Sequence, residues 1–167
     1  MGVMERFEKA AAGRIREFLS FQLGGEEYGI DILRVQEIRG CETVTRIASA
    51  PAYLKGVVNL RGTIVPVIDL RAQLALGDVR EDAFNVVIVL NAGRRLVGAV
   101  VDSVSDVLAF GDDQIRPALE ADLRLDAGYV MGLGTVGLDL GGRTLILLDI
   151  DRLVAAAPWP LPAGAAA

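Results

Sequence analysis

The chain carries the same pattern twice. Residues 18–38 lie over residues 87–107 at an offset of 69, so that Gly24 falls on Gly93, Tyr28 on Val97, Gly29 on Gly98, Ile32 on Val101, Val35 on Val104, Glu37 on Asp106 and Ile38 on Val107. Further on, Tyr53-Leu54-Lys55-Gly56 matches Tyr129-Val130-Met131-Gly132, and 64–70 matches 144–150, the offset growing to 76 and then 80. Small loop insertions produce such a drift. Repeats of this length are subdomains, not solenoid units. Each half reads as about five short strands separated by Gly or Asn turns, the pattern of a small closed or nearly closed barrel. A barrel that small buries little by itself, so the halves are expected to share an apolar seam. A short helix is expected after each of Asp69 and Asp149, over 70–74 and 150–155.

The ends differ from this pattern. Residues 1–16 have Val3, Phe7 and Ala11 at helical spacing and suggest a frayed amphipathic helix, within an N-terminal extension over 1–17. Residues 155–167 are rich in Ala and Pro and suggest a flexible tail. The repeated region is 18–154, its first half mainly 18–80 and its second mainly 81–154, with strand exchange between them allowed.

Within the first half, Asn59-Leu60-Arg61-Gly62 stands between two β-type runs and suggests a hairpin corner, with Asn and Gly supplying the positive φ angles. The corner lifts the Arg61 guanidinium to the rim of an apolar sheet. A planar cation placed there suits recognition of carboxylates or carbonyls. The second half has no matching corner.

Composition narrows the function. Of 167 residues, 52% are hydrophobic, which a disordered chain does not carry. Net charge is −5 with only Lys9 and Lys55 as lysines, so phosphate backbones and anionic membrane surfaces are unfavourable partners. Histidine is absent, which removes the usual general base and the commonest metal ligand. The single cysteine, Cys41, excludes an intramolecular disulfide and a cysteine zinc site. No signal-peptide pattern and no apolar run of about 20 residues occurs, so the expected compartment is the cytoplasm.

Two other readings compete with a binding module. Asp69 and Asp149 occupy equivalent places, as the carboxylates of a pseudo-twofold aspartic hydrolase do. Leu70 and Ile150 follow them, however, where such enzymes carry a hydroxyl residue and a glycine. Capping of the short helices is the expected role of both aspartates. The second rival is a double barrel that binds a small molecule, which requires an enclosed apolar pocket. Neither a cofactor nor a metal is expected.

The motifs together resemble the CheW family of bacterial chemotaxis coupling proteins. Tyr28–Ile38, Pro51–Gly56, Asn59–Arg71, Val97–Leu108 and Leu145–Leu153 are similar to its successive signatures, in order, over nearly the whole chain. The resemblance implies a mostly β fold of two intertwined five-stranded SH3-like barrels with a few short helices, and an adaptor without catalytic activity. The implied partners are the signalling tip of methyl-accepting chemoreceptors, the regulatory domain of the histidine kinase CheA, and further copies in rings. It also implies a cytoplasmic adaptor recruited to membrane-bound receptor arrays. By position, Val35, Glu37, Val86, Gly98, Val104 and Val107 are implied to line a receptor groove, with Arg61 at its rim. Val44, Thr45, Gly56 and Gly132 are implied to face the kinase. Relatives often carry two spaced prolines after the third signature. Here only Pro117 remains, followed by Ala118, Leu119 and Glu120.

Overall fold

The strands of this chain alternate apolar side chains on both faces, and the computed structural model shows why. It describes residues 15–48, 53–73, 85–93, 95–116, 129–136 and 142–156. The expected features that fall outside these, including most of the N-terminal helix, the loop after Pro117 and the end of the tail, are outside the described residues.

Among the described residues, eleven strands form two sheets. They are β1 (Ile15–Leu23), β2 (Glu26–Asp31), β3 (Val35–Gly40), β4 (Leu54–Leu60), β5 (Thr63–Asp69), β6 (Val86–Ala92), β7 (Arg95–Val101), β8 (Ser103–Gly111), β9 (Ile115–Arg116), β10 (Val130–Val136) and β11 (Arg143–Leu148). Helix α1 (Leu70–Gln73) follows β5 and α2 (Ile150–Ala156) follows β11, as the sequence suggested. Ile15 and Arg16 open β1, so the helix suggested for 1–16 does not extend to its end.

One sheet has the order β8-β1-β2-β11-β10-β9 and the other β3-β6-β7-β5-β4. The repeat maps β1 onto β6, β2 onto β7, β3 onto β8, β4 onto β10 and β5 onto β11. Under that mapping the two orders coincide strand for strand, with β9 left over. The expected five-plus-five count is therefore six plus five. The extra strand has two residues, Ile115 and Arg116, paired with Gly134 and Leu133. The other sheet keeps the same contact as one bridge, Thr45 to Val57.

The halves exchange strands reciprocally. β5 of the first half runs parallel to β7 of the second, with Val67 opposite Gly98. β11 of the second half runs parallel to β2 of the first, with Leu147 opposite Gly29. Both contacts depend on a residue without a side chain. A Cβ on Gly98 would lie 2.9 Å from Val87 Cγ1 and 3.0 Å from Val67 Cγ2, and one on Gly29 would lie 2.8 Å from Leu147 Cδ2.

Each sheet has its own apolar cluster, and the two share a third. Val58, Leu60, Val65, Val67, Val87, Val89 and Val100 form one cluster, all from the five-stranded sheet. Phe18, Phe110, Leu145 and Leu147 form another, all from the six-stranded sheet, with the two phenylalanine rings 5.9 Å apart. Leu108 of β8 and Ile115 of β9, at the two ends of that strand order, both pack against this cluster, which is compatible with the expected barrel. The alternate residues on the same strands, Leu19, Phe21, Leu23, Tyr28 and Ile30 from one sheet and Ile88, Leu90, Val97, Ala99 and Val101 from the other, form the largest cluster. This is the seam between the sheets. β1 and β6 are thus buried on both faces, which is why 86–90 reads as an unbroken apolar run.

Candidate functional site: the apolar edges at the seam

β3 and β8 are equivalent edge strands, and both carry a bulge. On β3 the register shifts between Val35 and Glu37, which face Leu90 and Val89. On β8 it shifts so that Val104 faces Phe21 and Val107 faces Leu19. Cross-strand partners share a face, so Val35 and Val104 join the seam side of their sheets. Val35, Val86 and Val104 are half-buried and pack on the same inter-sheet core. Beyond them, Ile38 and Val107 are 46% and 45% exposed, which leaves an apolar side chain open on each edge. Leu33, in the 3₁₀ turn before β3, is 86% exposed.

Ile38 was not among the residues singled out from the sequence. The signal was present, because Ile38 is the repeat equivalent of Val107. Gly98 is a different case. It is buried in the middle of β7 between Val67 and Val87, so it offers no surface to a partner, and its role is to let β5 approach.

Charged residues flank these edges. Glu37 Oε1 forms an ion pair with Arg39 Nε at 2.7 Å, and Glu37 Oε2 accepts from Arg61 Nη2 at 3.2 Å. Arg61 is the first residue of a two-residue turn, with φ 50°, followed by Gly62 at φ 89°. The expectation that Asn59 supplies a positive φ is corrected here. Asn59 ends inside β4, and its Oδ1 accepts from the Gly62 N–H at 2.8 Å. The Arg61 side chain is 69% exposed and linked to Glu37 by one hydrogen bond.

The equivalent place on the six-stranded sheet is occupied more tightly. Asp106, the repeat mate of Glu37, accepts from Arg143 Nη1 and Nη2 at 3.2 and 3.1 Å. The same guanidinium donates from Nε and Nη2 to Glu27 at 3.1 and 2.6 Å. The Arg143 and Ser20 hydrogen bonds hold the Asp106 carboxyl below the usual carboxylate range. Arg143 is pushed upward in turn, by Glu27 first and then by Asp106. Arg143 thus serves Asp106 as Arg61 serves Glu37, although it stands at the start of β11 and not at the position equivalent to Arg61.

The residues implied to face the kinase fall into two places. Thr45 is exposed and Val44 half-buried, and Gly56 lies beneath them. A Cβ on Gly56 would collide with the Thr45 carbonyl, whose oxygen accepts from the Val57 N–H at 2.9 Å. Gly132 lies on the other sheet, in the equivalent position under the Arg116 carbonyl, 2.7 Å from where a Cβ would stand. The first three come together and Gly132 stands apart from them. The structural role of both glycines is to admit a neighbouring backbone. Cys41 is half-buried against the five-stranded sheet's cluster.

The two aspartates of the hydrolase reading cap their helices. Asp69 Oδ1 accepts from the Arg71 N–H at 3.0 Å and Asp149 Oδ1 from the Arg152 N–H at 3.1 Å. They follow strands of different sheets. Among the described residues no group of acidic or sulfur side chains is arranged to hold a metal, and no helix is long and apolar enough to cross a membrane. A depression of about 590 Å³ lined by Ile15, Arg16, Glu17, Asp31, Ile32, Leu33 and Asp112 is half open and rimmed by charges. It is unlike the enclosed apolar pocket that the small-molecule reading requires.

Fold and site together define a duplicated all-β module with apolar edges at its seam. The chain belongs to the CheW-like family: residues 17–157 match the model of the CheW-like domain. It is 58% identical over 139 residues to a chemotaxis protein CheW of Klebsiella aerogenes, across 83% of this chain and 81% of that one. A probable chemotaxis protein CheW of Rhizobium etli is 36% identical, with 83% and 86% covered. The crystal structure of the scaffolding protein TtCheW from Thermoanaerobacter tengcongensis superposes with a TM-score of 0.75 at 26% identity, covering 84% of this chain and 92% of that one.

Proposed function

We propose that this protein is a chemotaxis adaptor, with 18–154 as its working unit. It couples the signalling tip of methyl-accepting chemoreceptors to the histidine kinase CheA and helps to assemble their array. It works in the cytoplasm, recruited to membrane-bound receptors, and catalyses no reaction. The observation that carries this reading is the pair of equivalent apolar edges, Val35 with Ile38 and Val104 with Val107, left open on either side of one core. A receptor tip is a helical hairpin, and a helix docks by laying an apolar stripe into such a groove. Glu37 and Arg61 supply polar contacts at the rim. Thr45, with Val44 beside it, forms a separate surface that suits a kinase domain of the same fold. Head-to-tail contacts of this kind close into rings. A shift in receptor packing then biases the kinase because its two states contact the adaptor differently.

A pull-down with a receptor tip and CheA tests the whole reading. Within it, Val35→Asp is expected to weaken receptor binding by about 30-fold, roughly 2 kcal/mol, through a charge placed on the seam. Kinase binding should stay unchanged and the variant should remain folded, and unaltered co-sedimentation with receptors would refute the groove assignment. Arg61→Glu is expected to abolish ternary assembly, which receptor-stimulated kinase activity reports. Wild-type stimulation in that variant would rule Arg61 out.

A further inference from the structure

Among the described residues β8 is an edge strand, paired in its sheet with β1 alone. Between Val104 and Val107 it takes three residue steps while β1 takes two, from Phe21 to Leu19. Three steps along a regular strand put two side chains on opposite faces, and one extra residue returns them to the same face. Val104 and Val107 share the seam side only because of this bulge. Few ladder bonds can hold a bulge at an edge, so side chains must do it. Asp106 lies in the bulge. Its Oδ1 accepts from the buried Ser20 Oγ at 2.8 Å, and its N–H donates to the same oxygen at 3.4 Å. Arg143 on β11 then binds Asp106 and Glu27 together. The network crosses four adjacent strands, β8, β1, β2 and β11.

The geometry points to Arg143 as a positioning residue for receptor docking: through Asp106 it fixes the β8 bulge that turns Val104 and Val107 to one face. This inference rests on the receptor reading above and adds a residue that touches no partner. Each member of such a network loses its strength when another is removed.

The test uses the full chain, with Arg143→Met and Asp106→Asn as independent variants. Both are expected to weaken binding of a receptor tip by about tenfold, as contact residues of one network do. Hydrogen exchange of the amides of 105–108 should rise in both. Affinity for the kinase regulatory domain should stay within twofold, and Arg143→Lys should fall between Met and the parent. Receptor affinity within twofold of the parent in both variants overturns the inference, as does an equal loss toward both partners. Val104→Asp separates the two layers of argument. If it abolishes receptor binding while Arg143→Met does not, only the positioning role fails. If it also leaves binding intact, the receptor reading fails and this inference with it.

Discussion

The two sheets share one blueprint and differ at one clasp. In each, a carboxylate at the bulge of an edge strand meets an arginine from the hairpin that ends the opposite side. On the six-stranded sheet Arg143 donates four hydrogen bonds to two carboxylates. On the five-stranded sheet Arg61 donates one, at 3.2 Å, and stands in a left-handed conformation that costs a non-glycine residue about 1 kcal/mol. An arginine kept strained and loosely held, where the arginine clasping the other sheet is locked, is better placed to meet a partner. Divergence between duplicated halves thus separates architecture from function without any second sequence.

Substitutions at equivalent positions can break this comparison. The largest effect is expected at the paired glycines. Gly56→Ala drives a methyl into the Thr45 carbonyl and should lower stability by about 3 kcal/mol, while Gly132→Ala, with a wider approach to Arg116, should cost about 2 kcal/mol. Urea unfolding of both variants measures the difference. A negligible effect at either glycine would end the claim that both sheets depend on that contact.

A comparable effect comes from Tyr28, whose repeat mate is Val97. Burial, and then the charge of Glu26, pushes the Tyr28 phenol up to about 12. Between pH 10 and 12 the unfolded chain loses this proton and the folded chain keeps it, so stability falls as pH rises through that window. A shift from 10.0 to about 12 corresponds to about 3 kcal/mol. Tyr28→Val makes the two sheets alike and should flatten this part of the stability profile. A profile unchanged by the substitution would show that another group is responsible.

The smallest effect is a gain. Arg61→Asn suits the turn and should raise stability by about 0.5 kcal/mol while weakening ternary assembly. Lower stability with intact assembly would contradict the contrast between the two arginines.

Much of the frame was legible because side-chain alternation and the repeat are local patterns. Residues 64–70 and 144–150 showed both parallel strands and both helix caps. The helix suggested at the N-terminus failed at Ile15 and Arg16, where pairing with Phe110 and Gly111 on β8 outweighs helical spacing. Arg143 was missed for a different reason. Aligned at the offset of the last repeat, Arg61 falls on Gly141, so the second hairpin looked bare. A guanidinium sits several bonds from its backbone, and an arginine two residues along the strand serves the same carboxylate. Position in sequence fixes a backbone; it does not fix where a long side chain ends. Gly98 was misjudged because burial inside a sheet cannot be distinguished from a groove floor by residue type.

The reciprocal exchange of strands also governs how the molecule comes into being. Every strand of the five-stranded sheet lies in the chain between β2 and β8, so that sheet is nested inside the other. On the ribosome, the hairpin of β1 and β2 emerges well before β8 and β11, the strands it pairs with, and must wait for them. Such distant pairing is slow to close. Meanwhile the inner sheet can complete itself, and its outward apolar face is the surface on which the waiting hairpin can settle. The last of the described strands, β11, closes on β2, the second strand of that waiting hairpin.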